Sequence, residues 1–276
     1  MSTLSTIVQT LQFPRKVLYL ILRQTEGTKL FWRSIQRPFQ RTEPDVWKAQ
    51  IAGQPLIVRE LQLAANISSQ KPPLLIGLHG YGSDERQMKT LVGVELDQPF
   101  IYLAPRAPYP HPTGGYAWFP INVNTGAVNN GAFEFEATQI KSSLDLIAAL
   151  IPQAVERYGA DPERVFVIGY SQGAAMSLAF MLTHPQRIAG AAAMSGQLLD
   201  AIKPYVVPPL DQQKPFFLGY GTKDQFITPE GMTAAKAYLT SRNVAVTYRT
   251  YPIPHVVSQA ELRDLEAWIE PFLETV

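Results

Sequence analysis

The chain has no cysteine. A disulfide framework, a thiol nucleophile and any Cys-based metal site are excluded, and the composition suits a reducing compartment such as the cytoplasm. Long apolar runs are missing too: no stretch reaches about 18 residues, so no transmembrane helix is expected. Nor is a secretory signal expected. The apolar run at 17–22 is short, the first ten residues carry no Lys or Arg, and no small-residue cleavage site follows. Charge of one sign is not in excess either: the net is +1, which gives no electrostatic basis for binding nucleic acid. Histidine is scarce, at four in 276 residues. No ligand cluster has metal-binding spacing, so neither metal nor cofactor is expected.

What is present is globular. Apolar residues make up 46% and charged residues 17%, enough material for one large α/β core. Residues 1–44 stand apart: seven basic side chains (Arg15, Lys16, Arg23, Lys29, Arg33, Arg37, Arg41) interleave with Val17, Leu18, Tyr19, Leu20, Ile21, Leu22, Leu30, Phe31, Trp32 and Ile35. Two readings fit this segment. One is an amphipathic extension at a membrane surface or over the site; the other is a helical arm packed on the domain with its cations solvated. The second is the simpler, since basic amphipathic stretches are common, and residues 45–276 are read as one domain.

From Trp47 onward, short apolar runs alternate with helical patterns. Lys71-Pro-Pro-Leu-Leu-Ile-Gly-Leu-His, Phe100-Ile-Tyr-Leu-Ala-Pro, Arg164-Val-Phe-Val-Ile-Gly-Tyr, Ile188-Ala-Gly-Ala-Ala-Ala-Met, Pro215-Phe-Phe-Leu-Gly-Tyr-Gly and Val244-Ala-Val-Thr-Tyr-Arg-Thr-Tyr read as six strands covered on both faces. Residues 133–158, 172–183, 229–241 and 258–273 read as helices, with Pro152 a kink or break in the first. Thr228-Pro229-Glu230 supplies a cap followed by proline at the first helical position. The alternation predicts a mostly parallel sheet with helices on both faces, and residues 47–63 an antiparallel edge hairpin.

Gly169-Tyr-Ser-Gln-Gly fits G-x-S-x-G where the third strand hands over to a helix. A nucleophilic serine on such a turn needs flanking glycines to avoid clashes, and the helix N-terminus favours developing negative charge. A serine hydroxyl also needs a base. Chain order in this arrangement is Ser, acid, His, which selects His255, in the loop after the sixth strand, over His79, His111 and His184. The acid must fall between them near a strand's carboxyl end. Asp224 follows the fifth strand directly, Asp200 is the runner-up, and Asp211 lies at the wrong end of that strand. The Leu78-His-Gly-Tyr-Gly-Ser-Asp loop is the place for one oxyanion donor, so the backbone N–H groups of Tyr81 and Gln172 are the expected pair. Trp118 is read either as lining an acyl pocket or as an ordinary packed aromatic.

These residues resemble the phospholipase/carboxylesterase family of the α/β-hydrolases, which includes bacterial carboxylesterases and acyl-protein thioesterases. The resemblance spans roughly residues 72–275. It rests on Leu78-His-Gly-Tyr-Gly-Ser-Asp-Glu, Ala104-Pro-Arg-Ala-Pro, Tyr116-Ala-Trp-Phe, Gly169-Tyr-Ser-Gln-Gly-Ala-Ala-Met, Ala193-Met-Ser-Gly, Gly221-Thr-Lys-Asp and Pro254-His. It implies a single-domain, cofactor-free esterase with Ser171, Asp224 and His255 as triad and donors at Tyr81 and Gln172. Tyr81 stands where thioesterase members commonly carry a small or aliphatic residue. That favours a carboxylesterase on short- to medium-chain esters over a thioesterase or lysophospholipase working at a membrane surface. Transfer of the acyl group to an acceptor other than water stays open, as does the oligomeric state. A non-catalytic binding module is disfavoured, because a scaffold has no need of all three triad residues in order.

Overall fold

The computed structural model describes residues 46–51, 54–62, 71–91, 99–121 and 136–274. The basic 1–44 segment and its expected helix lie outside these residues. Elements run β1 (Val46–Ile51), β2 (Gln54–Gln62), β3 (Leu74–Leu78), α1 (Gln87–Leu91), β4 (Ile101–Pro105), β5 (Tyr109–Pro110) and β6 (Tyr116–Ala117). They continue through α2 (Ala137–Tyr158), β7 (Val165–Tyr170), α3 (Gln172–Thr183), β8 (Gly190–Met194), β9 (Lys214–Gly221), α4 (Pro229–Ser241), β10 (Val244–Tyr251) and α5 (Gln259–Leu273). The main sheet has the order β1-β2-β4-β3-β7-β8-β9-β10. β1–β2 and β2–β4 pair antiparallel, and every other neighbouring pair is parallel. The expected edge hairpin is β1–β2.

The six parallel strands are apolar on both faces because helices cover both. In β3 and β7, Leu74, Ile76, Val165 and Val167 face a core shared with Ile140, Leu144 and Ile147 of α2 and Leu178 of α3. Leu75, Phe166 and Ile168 point the other way, onto Leu265, Ile269 and Leu273 of α5. Side chains of period two on strands and period near 3.6 on helices interlock only in this layering.

Two local expectations shift. The helix read over 133–158 begins at Ala137, and 133–135 lie outside the described residues. Pro152 neither ends nor interrupts α2. Ile147, Leu150, Ile151 and Ala154 are buried on both sides of it, so packing of the apolar face carries the helix past the missing N–H.

Order reversal between β3 and β7 positions the site. From β3 the chain crosses to β4 on one side, then returns to lay β7 on the other. The loops leaving β3 and β7 therefore diverge at the carboxyl edge and leave a crevice there. Leu78 and Gly169 pair at the ends of those strands, so the loops start side by side.

The second core layer rests on a single long helix, and truncating it has a definite cost. Leu265→Ala is expected to lower stability by about 2–5 kcal/mol, read as a lower urea midpoint at unchanged m-value.

Candidate active site

The turn from β7 into α3 holds Ser171 at φ 54°, ψ −116°. A non-glycine residue there carries roughly 1–3 kcal/mol of strain, which its surroundings must enforce. They do. The Ser171 N–H donates to the Met194 carbonyl at 3.0 Å, and the Ser171 carbonyl accepts from Ala175 at 3.0 Å. A Cβ on Gly169 would sit 2.1 Å from the Gly173 carbonyl oxygen, and one on Gly173 would sit 2.0 Å from that of Leu78. Both positions exclude any side chain.

The structure brings Ser171, His255 and Asp224 into one hydrogen-bonded line. His255 Nε2 lies 2.8 Å from Ser171 Oγ, and His255 Nδ1 lies 2.7 Å from Asp224 Oδ2. The Asp224 side chain is fully buried. Its other oxygen accepts the N–H groups of Phe226 (2.8 Å) and Ile227 (3.0 Å), so it is acceptor-only as held. Nδ1 therefore carries the proton toward Asp224, leaving the Nε2 lone pair for the serine hydroxyl. The Tyr170 hydroxyl donates to the His255 carbonyl at 2.9 Å, and the Phe226 ring meets the imidazole edge to face at 5.1 Å. Asp200, the runner-up acid, points into solvent and pairs with Lys203 at 2.9 Å.

The loop after β3 lies against the serine: a Cβ on Gly80 would stand 3.4 Å from the Ser171 Cβ. Neither the Tyr81 nor the Gln172 N–H has an acceptor among the described residues. Gln172 also opens α3, where the helix dipole adds positive character.

Side chains that the sequence did not single out hold these donors. His79 is completely buried, and burial lowers its pKa, so the ring is neutral. Its Nε2 accepts the Ala107 N–H at 3.0 Å, so Nδ1 donates to the Gly80 carbonyl at 2.8 Å. The Gly80 N–H in turn donates to Gln87 Oε1 at 2.7 Å. Gly82 donates to the Tyr116 carbonyl (3.0 Å), and Tyr116 donates back to that of Ser83 (2.6 Å). That exchange brings Gly115 so close that a Cβ there would fall 2.2 Å from the Gly82 carbonyl oxygen.

Trp118 lies in the segment beside the oxyanion loop. Its ring is fully buried. The indole N–H donates to the His79 carbonyl at 2.9 Å, and its backbone N–H donates to Gln172 Oε1 at 2.8 Å. Gln172 Nε2 completes the clamp on the Phe119 carbonyl at 2.7 Å. Both ends of the Gln172 amide are thus engaged, fixing the α3 N-terminus against the 116–119 segment. A histidine directly before a glycine loop and a glutamine directly after the serine are the signals that were available.

Behind the loop, Glu85 is fully buried and receives Arg106 bidentately at 2.7 and 2.8 Å. Burial alone would raise the Glu85 carboxyl, but the Arg106 hydrogen bonds and charge outweigh it and hold it below the ordinary glutamate range. A depressed folded-state value contributes stability above the unfolded pKa that is lost as pH falls. Arg106→Met leaves the buried Glu85 carboxylate only the longer Arg59 contact at 3.5 Å and is expected to cost about 3 kcal/mol at pH 7. The loss should shrink as pH falls and the carboxyl that has lost Arg106 takes up a proton, which burial favours; denaturant titrations at about pH 7 and at acid pH check both.

A model of the phospholipase/carboxylesterase family matches residues 63–273. Carboxylesterase SOBER1 of Arabidopsis thaliana is 28% identical over 213 residues, covering 71% of this chain and 89% of that protein. Acyl-protein thioesterase 1 of Debaryomyces hansenii is 28% identical over 188 residues, covering 63% and 76%. Among solved structures, a carboxylesterase from Mesorhizobium loti aligns with TM-score 0.64 at 20% identity, covering 80% of this chain and 98% of that one. The SOBER1 crystal structure aligns with TM-score 0.61 at 24% identity, covering 73% and 99%. Both share the α/β-hydrolase fold. With the family model matched across the whole described domain from β3 onward, the chain belongs to the phospholipase/carboxylesterase family.

Proposed function

We propose that the chain is a serine carboxylesterase that hydrolyses carboxylic esters through an acyl-enzyme at Ser171. The observation that carries this is the unbroken relay from Ser171 Oγ to His255 Nε2 at 2.8 Å and from His255 Nδ1 to Asp224 at 2.7 Å.

In the first half-reaction Ser171 Oγ attacks the ester carbonyl carbon while His255 Nε2 takes the hydroxyl proton. Asp224 stabilises the imidazolium and keeps its ring in register. The carbonyl oxygen, now negative, accepts the Tyr81 and Gln172 N–H groups. When the intermediate collapses, the C–O bond to the alcohol breaks and His255 returns the proton to the departing oxygen. Water then attacks the acyl-enzyme with His255 again as base, releasing the acid and restoring Ser171. In this reading His79, Trp118 and the Gln172 side chain act before the reaction, by holding the two donors in place.

The rim supports an apolar acyl or alcohol group. Exposed large hydrophobic side chains among the described residues are Val46, Tyr81, Phe226 and Val256. Three of the four border the site: Tyr81 in the oxyanion loop, Phe226 against the His255 ring, and Val256 beside His255. The carboxylesterase and acyl-protein thioesterase names of the relatives agree with an acyl substrate, and the same rim suits a thioester. No helix among the described residues is long and apolar enough to cross a membrane. We place the activity in the cytoplasm, in keeping with the cysteine-free composition. Peripheral membrane contact through 1–44 rests on the sequence alone.

Hydrolysis of p-nitrophenyl esters from acetate to palmitate tests the proposal. Ser171→Ala should lower kcat/KM by about 10³-fold or more, and Asp224→Asn by about 10³–10⁴-fold. Full activity in Ser171→Ala would refute the assignment. Phe226→Ala should move the chain-length optimum, and an unmoved optimum would remove Phe226 from the substrate's path.

A further inference from the structure

Helix α5 begins at Ser258, whose Oγ accepts the Glu261 N–H at 3.1 Å. Ser-x-x-Glu at a helix start is the capping-box pattern, in which the glutamate reaches back over the first turn. Here the Glu261 side chain is fully buried instead. The Ser258 N–H lies near enough to favour the charged form, yet neither carboxyl oxygen has a hydrogen bond of acceptable geometry among the described residues. The carboxyl presses on β9: a Cβ on Gly219 would stand 2.3 Å from Glu261 Oε1. Two residues later β9 ends at Gly221, whose carbonyl accepts the Asp224 N–H at 2.9 Å.

The groups that face Glu261 are acidic or weakly acidic. Asp224 in the loop after β9 and Asp264 on α5 itself both act on it as negative charges. Tyr170 at the end of β7 and Tyr251 at the end of β10 lie within its electrostatic reach. Tyr170 holds the His255 carbonyl, and Tyr251 donates to Asp264 Oδ2 at 2.8 Å. An ionised carboxylate in this spot has no solvent, has only the Ser258 N–H as a nearby donor, and faces two like charges, one of them Asp224.

We propose that Glu261 is a positioning residue that must remain uncharged for Asp224 and His255 to keep their geometry, so that its ionisation acts as an alkaline off-switch. The proposal rests on Asp224 being the acid of the triad. Once charged, the carboxylate is driven out from behind Gly219 toward water. The strand end it leaves is the one that carries the Asp224 turn, and His255 loses its fixed partner.

Burial first, then the Asp224 and Asp264 charges, push the Glu261 pKa up to about 8 against the pull of Ser258. The folded value thus exceeds the unfolded one, about 4.3. The stability this group contributes is complete below the unfolded value and is lost as pH rises through the folded value.

Two readouts on the full chain test this. Thermal midpoints of wild type, Glu261→Gln and Glu261→Leu should converge near pH 5, and the wild type should then lose ground to both variants up to about pH 8. Wild-type kcat/KM should fall about tenfold between pH 7 and 9, and that fall should be missing from Glu261→Gln. Parallel midpoint curves, or the same alkaline fall in both proteins, would overturn the proposal. If neither variant folds, infrared spectra of the wild type decide: a protonated-carboxyl band should disappear between pH 6 and 9, and no such band would sink the idea. The midpoint and infrared arms read Glu261 without reference to catalysis. A failed triad assignment, seen as activity in Ser171→Ala, is therefore told apart from a failed Glu261 assignment.

Discussion

The site depends on a backbone contact that permits no side chains. Gly173, in the first turn of α3, lies against the Leu78 carbonyl at the end of β3, while Gly169 lies against Gly173. That contact fixes where α3 starts relative to the sheet and forces Ser171 into a conformation it would not choose. Strain at one residue is affordable when the flanking strand and helix are buried on all sides, as β7 and α3 are. With the turn fixed, the serine oxygen, the first N–H of the helix and the loop after β3 fall within reach of one another.

Around that turn, neutral polar groups do most of the positioning. His79 works because burial keeps it uncharged and leaves one nitrogen to accept and the other to donate. Gln172 works because an amide has both functions at one end of a side chain, so one residue ties α3 to two backbone positions. The charged anchor, Glu85 with Arg106, is set back behind the loop. Such a division leaves the dipoles around the position where negative charge would develop already oriented.

How much of this the sequence discloses follows from the range of each interaction. The six parallel strands are legible because burial on both faces forces unbroken apolar runs. Helix starts at Thr228 and Ser258 are legible because capping is local, and both side chains do accept a backbone N–H three residues on. The positions of Ser171, Asp224 and His255 could be nominated because chain order and strand ends restrict the choice. What escaped was nonlocal. The role of Trp118 hangs on a histidine 39 residues away and a glutamine 54 residues away. Pro152 misleads because propensity is a local penalty and packing is not. Helix α1, with five residues, is too short to carry a period.

The sheet order has one more consequence. Ser171 rises from β7, in the middle of the sheet, but Asp224 and His255 hang from β9 and β10, the last two strands. Strand β10 is joined to the sheet through β9 alone, and much of it is only half-buried or exposed. Sheet margins open more readily than sheet centres. Ser171 is thus built into the centre of the sheet, while His255 follows a strand held on one side only. Fraying of that margin would part Ser171 from His255 while the centre of the sheet is still folded, so the geometry of the site can be lost before the molecule collapses.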